Sequence, residues 1–154
     1  MLAPWIVRPA LAADEEAILM LEQACAEAPH WSPAVWQQIL CREEAQQPAR
    51  VAFIVEGSNS ILGFAVVSCA AGVAEIESIA VHPSVRCQGI GKGLCHAAFD
   101  WSRTADAAVI ELEVRASSVA AHALYASLGF TEQGRRSGYY RNPADDAILM
   151  SAPL

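Results

Sequence analysis

The stretch Ile76-Glu77-Ser78-Ile79-Ala80-Val81-His82-Pro83-Ser84-Val85-Arg86-Cys87-Gln88-Gly89-Ile90-Gly91-Lys92-Gly93 decides the fold. Residues 76–81 read as a strand, and from Gly89 the apolar spacing turns helical to about residue 102. The turn between them has the build of an anion site. Its glycines let backbone approach a phosphate, the N–H groups of the first helical turn have no partners, and the helix dipole favours negative charge there. Arg86 and Lys92 add positive charge. The spacing Arg-x-x-Gly-x-Gly has neither the Gly-Lys-Ser/Thr of a nucleoside-triphosphate loop nor the Gly-x-Gly-x-x-Gly of a dinucleotide loop. A turn that only tightens strand-to-helix packing is the alternative.

Upstream, residues 6–9 form a short strand, and Ala12-Ala13-Asp14 leads into an amphipathic helix carrying Ile18, Leu19, Leu21 and Cys25. Ser32 and Pro33 then supply an N-cap and first helical position. Val35, Trp36, Ile39 and Leu40 mark the buried side, and Pro48 is the expected stop. Residues 50–56 and 61–70 read as a hairpin around Gly57-Ser58-Asn59-Ser60, and 73–82 as a third strand. Downstream, residues 107–115 alternate so that Glu111 and Glu113 share a face. Ser118 is placed to cap a helix running to about Leu128, Gly129 suits a left-handed C-cap, and residues 147–150 are expected to form a short last strand. This order predicts an α/β fold around a central mixed sheet.

A chain of 154 residues with 54% hydrophobic content is sized for one core, so residues 1–154 are expected to form a single domain. No run approaches the roughly 20 apolar residues of a membrane span, and Met1-Leu2-Ala3-Pro4-Trp5 lacks the build of a signal peptide. A cytoplasmic protein with no membrane partner is expected. Five cysteines without a Cys-x-x-Cys pair and four scattered histidines predict reduced thiols and no metal. A net charge of −7 argues against direct nucleic-acid binding and suits a cationic acceptor.

The turn is followed in order by Leu112-Glu113-Val114-Arg115-Ala116-Ser117, Ala123-Leu124-Tyr125-Ala126-Ser127-Leu128-Gly129-Phe130, the loop Arg136-Ser137-Gly138-Tyr139-Tyr140 and Asp146-Ala147-Ile148-Leu149-Met150. Together with the early Trp31-Ser32, these segments resemble the GNAT acetyltransferase superfamily over nearly the whole chain, and within it the bacterial ribosomal-protein-alanine N-acetyltransferases. The resemblance implies a mostly antiparallel mixed sheet of about seven strands, splayed beside the fourth and flanked by about four helices. It implies acetyl-coenzyme A as co-substrate. The backbone of Ser78, Ile79, Ala80 and Val81 would orient the thioester arm. Arg86, Cys87, Gln88, Gly89, Ile90, Gly91 and Lys92 would hold the pyrophosphate. Ser118 stands where the family usually carries an asparagine against the cofactor arm. Glu113 matches the general base and Tyr125 the general acid, while Trp31, Tyr139 and Tyr140 are expected to wall the acceptor cleft. The implied acceptor is a protein N-terminus, an alanine of a small-subunit ribosomal protein, and the enzyme a monomer or weak dimer.

The chemistry asks for both kinds of group, because attack on a thioester requires a neutral amine and expels a thiolate. An α-amine with a pKa of about 8 is partly neutral at physiological pH, whereas deprotonating a lysine at pH 7.5 costs about 4 kcal/mol. A carboxylate base therefore suits an α-amine, and repulsion from Glu111 is expected to raise the pKa of Glu113. Glu75 and Glu77 are alternative bases. Cys87 is expected to be a small filler rather than a reactive thiol. Other readings of the same residues are transfer to a small amine or a protein lysine, and a non-catalytic acyl-coenzyme A sensor.

Overall fold

Alternation of apolar and polar side chains builds the sheet, and helical apolar spacing builds its two covers. The computed structural model describes residues 3–43 and 46–154. The strands are β1 (Ile6–Pro9), β2 (Ala49–Glu56), β3 (Ile61–Ala70), β4 (Val73–Val81), β5 (Val109–Arg115), β6 (Thr131–Arg141) and β7 (Ala144–Pro153). The helices are α1 (Glu15–Ala24), α2 (Pro33–Leu40), α3 (Ile90–Thr104) and α4 (Val119–Ser127). One seven-stranded sheet has the order β1-β2-β3-β4-β5-β7-β6, with β4 and β5 parallel and every other neighbour antiparallel. The fold class is as expected. Among the described residues no helix is long and apolar enough to cross a membrane.

Each face of the sheet has its own core. Leu94, Cys95, Ala98 and Phe99 of α3 are buried, the last three against Ile76, Ile110, Leu112 and Met150. On the other face, Ile18 and Leu21 of α1 and Trp36 and Ile39 of α2 pack on Ile54, Phe64 and Val66. Each fully buried Leu, Ile or Phe among them contributes about 1.5–3 kcal/mol through burial.

A β-bulge lies between these cores. Val66 pairs with Ser78 but Val67 with Ile76, so Glu77 has no partner on β3. The extra residue exchanges the faces of β4: Ile76 points to the α3 core, and so does Ile79, three residues on. Ala80 is thereby turned toward α1 and α2. The parallel ladder to β5 ends at this level, its last pair being Ile76 with Leu112. Beyond it β4 follows β3 to Val81 and β5 follows β7 to Arg115. The two strands part there, which is the splay expected beside the fourth strand.

Several boundaries differ from the sequence reading. Helix α2 stops at Leu40 rather than near Pro48, because the residues that follow are polar and give a helix no face to bury. Residues 44 and 45 of that expected helix, and Met1 and Leu2 of the terminus, lie outside the described residues. The last strand runs ten residues, since both of its edges are paired. Residues 136–140 are not a free loop but an irregular part of β6, where the register shifts and Gly138 takes φ +64°. Ser118 occupies the N-cap position of α4, yet its side chain makes no capping hydrogen bond. Ser32 does cap α2, accepting from the Val35 N–H at 3.4 Å.

Candidate functional site

The turn after β4 keeps its donors free. Cys87 and Gly89 take left-handed φ of +61° and +83°, and α3 opens at Ile90 with Gly89 as N-cap. The Gly93 N–H reaches the Gly89 carbonyl at 2.9 Å, but among the described residues the N–H groups from 86 to 92 meet no protein acceptor. Such a concave run of amides at a helix start is a nest for an anion. Gly89 serves by its φ, whereas Gly93 serves packing: a Cβ there would lie 2.9 Å from the Trp5 ring.

Side chains of the turn divide into distinct roles. Lys92 is exposed and has no carboxylate partner among the described residues. Gln88 is half-buried, and Ile90 is 1% exposed in the core, so Ile90 has only its N–H to offer a ligand. Arg86 makes two hydrogen bonds within the chain. Its Nε donates to the Val81 carbonyl at 3.2 Å and its Nη2 to Glu27 at 3.3 Å, so its charge is engaged toward the end of β4 and the segment after α1. Cys87, expected to be a small filler rather than a reactive thiol, is an exposed free cysteine at a left-handed φ.

Four carboxylates gather where β4 and β5 part. Glu75 lies beside Glu111 in the parallel register. A cavity of about 140 Å³ is lined by Glu75, Glu111, Leu112, Glu113, Arg136 and Leu149. It is large enough for an amine and a few waters of about 30 Å³ each. Glu113 faces Leu149 across β7 and has Arg136 Nε at 3.4 Å from its carboxylate. Burial, then the neighbouring charges of Glu77, Glu113 and Glu111, push the Glu75 carboxyl above its ordinary range, with Arg136 opposing them. Glu77 accepts from Arg50 Nε and Nη2, at 2.8 and 2.9 Å. A depression of about 650 Å³ along α2, lined by Ala34, Gln37 and Gln38 among others, is larger but brings no acid–base pair together.

Tyr125 is 5% exposed, its ring edge-on to Phe130 at 5.7 Å. Burial, with Cys95 and Tyr140 beside it, raises its phenol well above the ordinary range, so it stays protonated at neutral pH. Tyr140 is electrostatically close to both Tyr125 and Glu113, and its ring lies under the Arg115 guanidinium at 4.1 Å. Tyr139 is half exposed and edge-on to Tyr140 at 5.1 Å. Trp31 is half-buried between Trp36, 5.4 Å away, and the Arg50 guanidinium, 5.7 Å above its ring. Ser78 is 7% exposed, with Ile79, Ala80 and Val81 completing the β4 arm of the splay. Ser118 is half-buried.

The structure therefore brings Glu113 together with Glu75 and Glu111 at the cavity, while Tyr125 packs in the core with Leu112 and Val114, the β5 residues that alternate with Glu113, and makes no hydrogen bond to it. Arg50 and Glu27 were missed by sequence reasoning, and Arg136 entered it only as part of a loop. No motif marks them; register and strand order bring them to these acids.

Residues 16–130 match the model of the acetyltransferase (GNAT) family. Over 104 residues the chain is 36% identical to the [ribosomal protein bS18]-alanine N-acetyltransferase of Escherichia coli strain K12, which is 66% of this chain and 70% of that one. The crystal structure of the ribosomal-protein-S18-alanine N-acetyltransferase from Escherichia coli superposes with a TM-score of 0.83 at 29% identity, covering 98% of this chain and 94% of that one. The NatC complex bound to Gag peptide and CoA superposes with a TM-score of 0.80 at 24% identity, covering 97% of this chain and 98% of that chain, a likeness of fold.

Proposed function

The chain belongs to the GNAT acetyltransferase family, and from that premise we propose that it acetylates the N-terminal α-amine of a protein, alanine of a small-subunit ribosomal protein, as one domain. It is an N-acetyltransferase, and its donor in this reading is acetyl-coenzyme A. The observation that carries the reading is the meeting of Glu113 with the splay between β4 and β5, beside a turn of free amides. The likeness to the Escherichia coli enzyme named for bS18 alanine supports the acceptor.

In this mechanism the free amides from 86 to 92 and the Lys92 charge hold the pyrophosphate. The β4 backbone beyond Ile76, paired only to β3, offers the thioester arm hydrogen bonds. Ser118 takes the position beside that arm, and Trp31, Tyr139 and Tyr140 wall the acceptor side. Glu113 takes a proton from the acceptor nitrogen as it attacks the thioester carbonyl carbon. The nitrogen–carbon bond forms, the carbon–sulfur bond breaks, and the departing sulfur takes a hydrogen bond and then a proton from the Tyr125 hydroxyl. Transfer is direct, within a ternary complex, with no acyl-cysteine intermediate.

A second base is favoured by one observation: Glu75 shares the cavity, where burial first and then its acidic neighbours push its carboxyl up. The activity is tested with labelled acetyl-coenzyme A, an N-terminal-alanine peptide and an N-blocked, lysine-containing twin. Label on the α-amine of the free peptide supports the reading, and label on the blocked twin alone overturns it.

A further inference from the structure

We propose that Arg50 is a positioning residue for acetyl transfer, fixing the two walls of the cleft through Glu77 on one side and Trp31 on the other; the inference rests on the acceptor reading above.

Glu77 is the bulge residue of β4, and a bulge leaves its residue outside the ladder. It also follows directly on Ile76, where the pairing with β5 ends. The path of residues 78–81 thus depends on how Glu77 is held. Arg50 holds it at two points, Nε to Oε2 at 2.8 Å and Nη2 to Oε1 at 2.9 Å. Both side chains are sheltered, 18% and 23% exposed. A forked guanidinium fixes the plane of a carboxylate as well as its distance, which a lysine cannot do. The choice of partner is specific. Arg50 pairs with Ser68 and Ser68 with Glu75, so Glu75 shares its row of the sheet, yet the fork closes on the bulge residue.

The same guanidinium lies 5.7 Å over Trp31, in the segment between α1 and α2. Trp31 also meets Trp36, which is fully buried, donates to Glu22 at 3.2 Å and stands edge-on to Phe64. Trp31 has no strand ladder to hold it, and its contacts are with a fixed core ring and a fixed cation. One residue of β2 thus links the cofactor arm of β4 to the acceptor side.

The test compares wild type, Arg50→Lys, Glu77→Gln and the double variant by steady-state kinetics with the N-terminal-alanine peptide. Calorimetric binding of coenzyme A alone gives a readout that needs no acceptor. Each single variant is expected to lower kcat/KM for the peptide about tenfold, with the double no worse than the weaker single. Coenzyme A affinity should fall in the same variants while Tm stays close to wild type. Trp31→Leu should reproduce the peptide defect and leave coenzyme A binding intact. Wild-type kinetics and affinity in Arg50→Lys, additive losses in the double, or losses that track Tm alone would each overturn the proposal. If wild type transfers nothing to the peptide, the acceptor reading fails, and coenzyme A binding still decides for Arg50 if weakened or against it if unchanged.

Discussion

Thioester aminolysis needs a group that gives a proton to sulfur, and burial, with Cys95 and Tyr140 beside it, keeps the Tyr125 phenol protonated at neutral pH. Tyr125 packs on Phe130 inside the core, so Tyr125→Phe keeps the ring contact and removes only the hydroxyl. It is expected to lower kcat by about 10²-fold with the far-UV spectrum and Tm little changed, measured by stopped-flow thiol release. Glu75 carries a different consequence. Its folded carboxyl titrates above its ordinary value of 4.5, so the folded state binds that proton more tightly than the unfolded chain does. Stability from this group is complete at lower pH and is lost as pH rises through the raised value. Glu75→Gln should therefore melt above wild type at pH 7, and the gap should close as the pH falls toward 4.5, by differential scanning calorimetry. Which glutamates share a face is legible in the alternation of 111–113. That Glu75 is pushed high is not, because its shift comes first from burial and then from Glu77, Glu113 and Glu111, which the folded sheet brings around it.

Turns and caps decide whether the elements stand where the chemistry needs them. Gly89 has φ +83° with open space around its Cα, so Gly89→Ala strains the backbone without a clash, at a cost of about 1 kcal/mol. Because the amide nest depends on that φ, the variant should raise KM for acetyl-coenzyme A more than it raises KM for the peptide, which initial-rate kinetics resolve. At the entry to α1, Asp14 takes two hydrogen bonds from Arg8, at 2.8 and 2.9 Å, and one from the Leu11 N–H at 2.7 Å. The Arg8 bonds chiefly, aided by the Leu11 N–H, hold the Asp14 carboxyl below its ordinary value of 3.8. The sign is opposite to that of Glu75: this stability is present above 3.8 and is lost as pH falls through the lower, folded value. Asp14→Ala is expected to cost about 1 kcal/mol at pH 7 and less in acid, as urea unfolding would measure. The strand, turn and helix around Gly89 were readable because glycine and apolar spacing are local signals. The bulge at Glu77 was not, since it is set by the register of β3, whereas the arrest of α2 at Leu40 follows from the polar residues after it, a local signal that Pro48 overshadowed.

Across the whole molecule, a net charge of −7 combines with carboxylates at the mouth of the splay, a field that attracts a cationic acceptor. KM for a basic N-terminal-alanine peptide should therefore rise with ionic strength as the Debye length shrinks from about 10 Å at 0.1 M salt to about 3 Å at 1 M, while a neutral peptide of the same length changes little. The overall plan, one mixed sheet with a strand–turn–helix at its centre, was legible in the order of elements and in the motifs around Gly89, Glu113 and Tyr125. The engagement of Arg86 by Glu27 and of Glu77 by Arg50 was not, because both pairs join residues far apart in sequence that only the folded sheet brings together. The central claim is that Glu113, at the splay of β4 and β5, is the base in acetyl transfer to an N-terminal amine. Single-turnover transfer from acetyl-coenzyme A to the alanine peptide, compared between Glu113→Gln and Glu75→Gln, tests it most directly. A loss of about 10²-fold or more in Glu113→Gln, with Glu75→Gln near wild type, is the expected result, and a full rate in Glu113→Gln would contradict it.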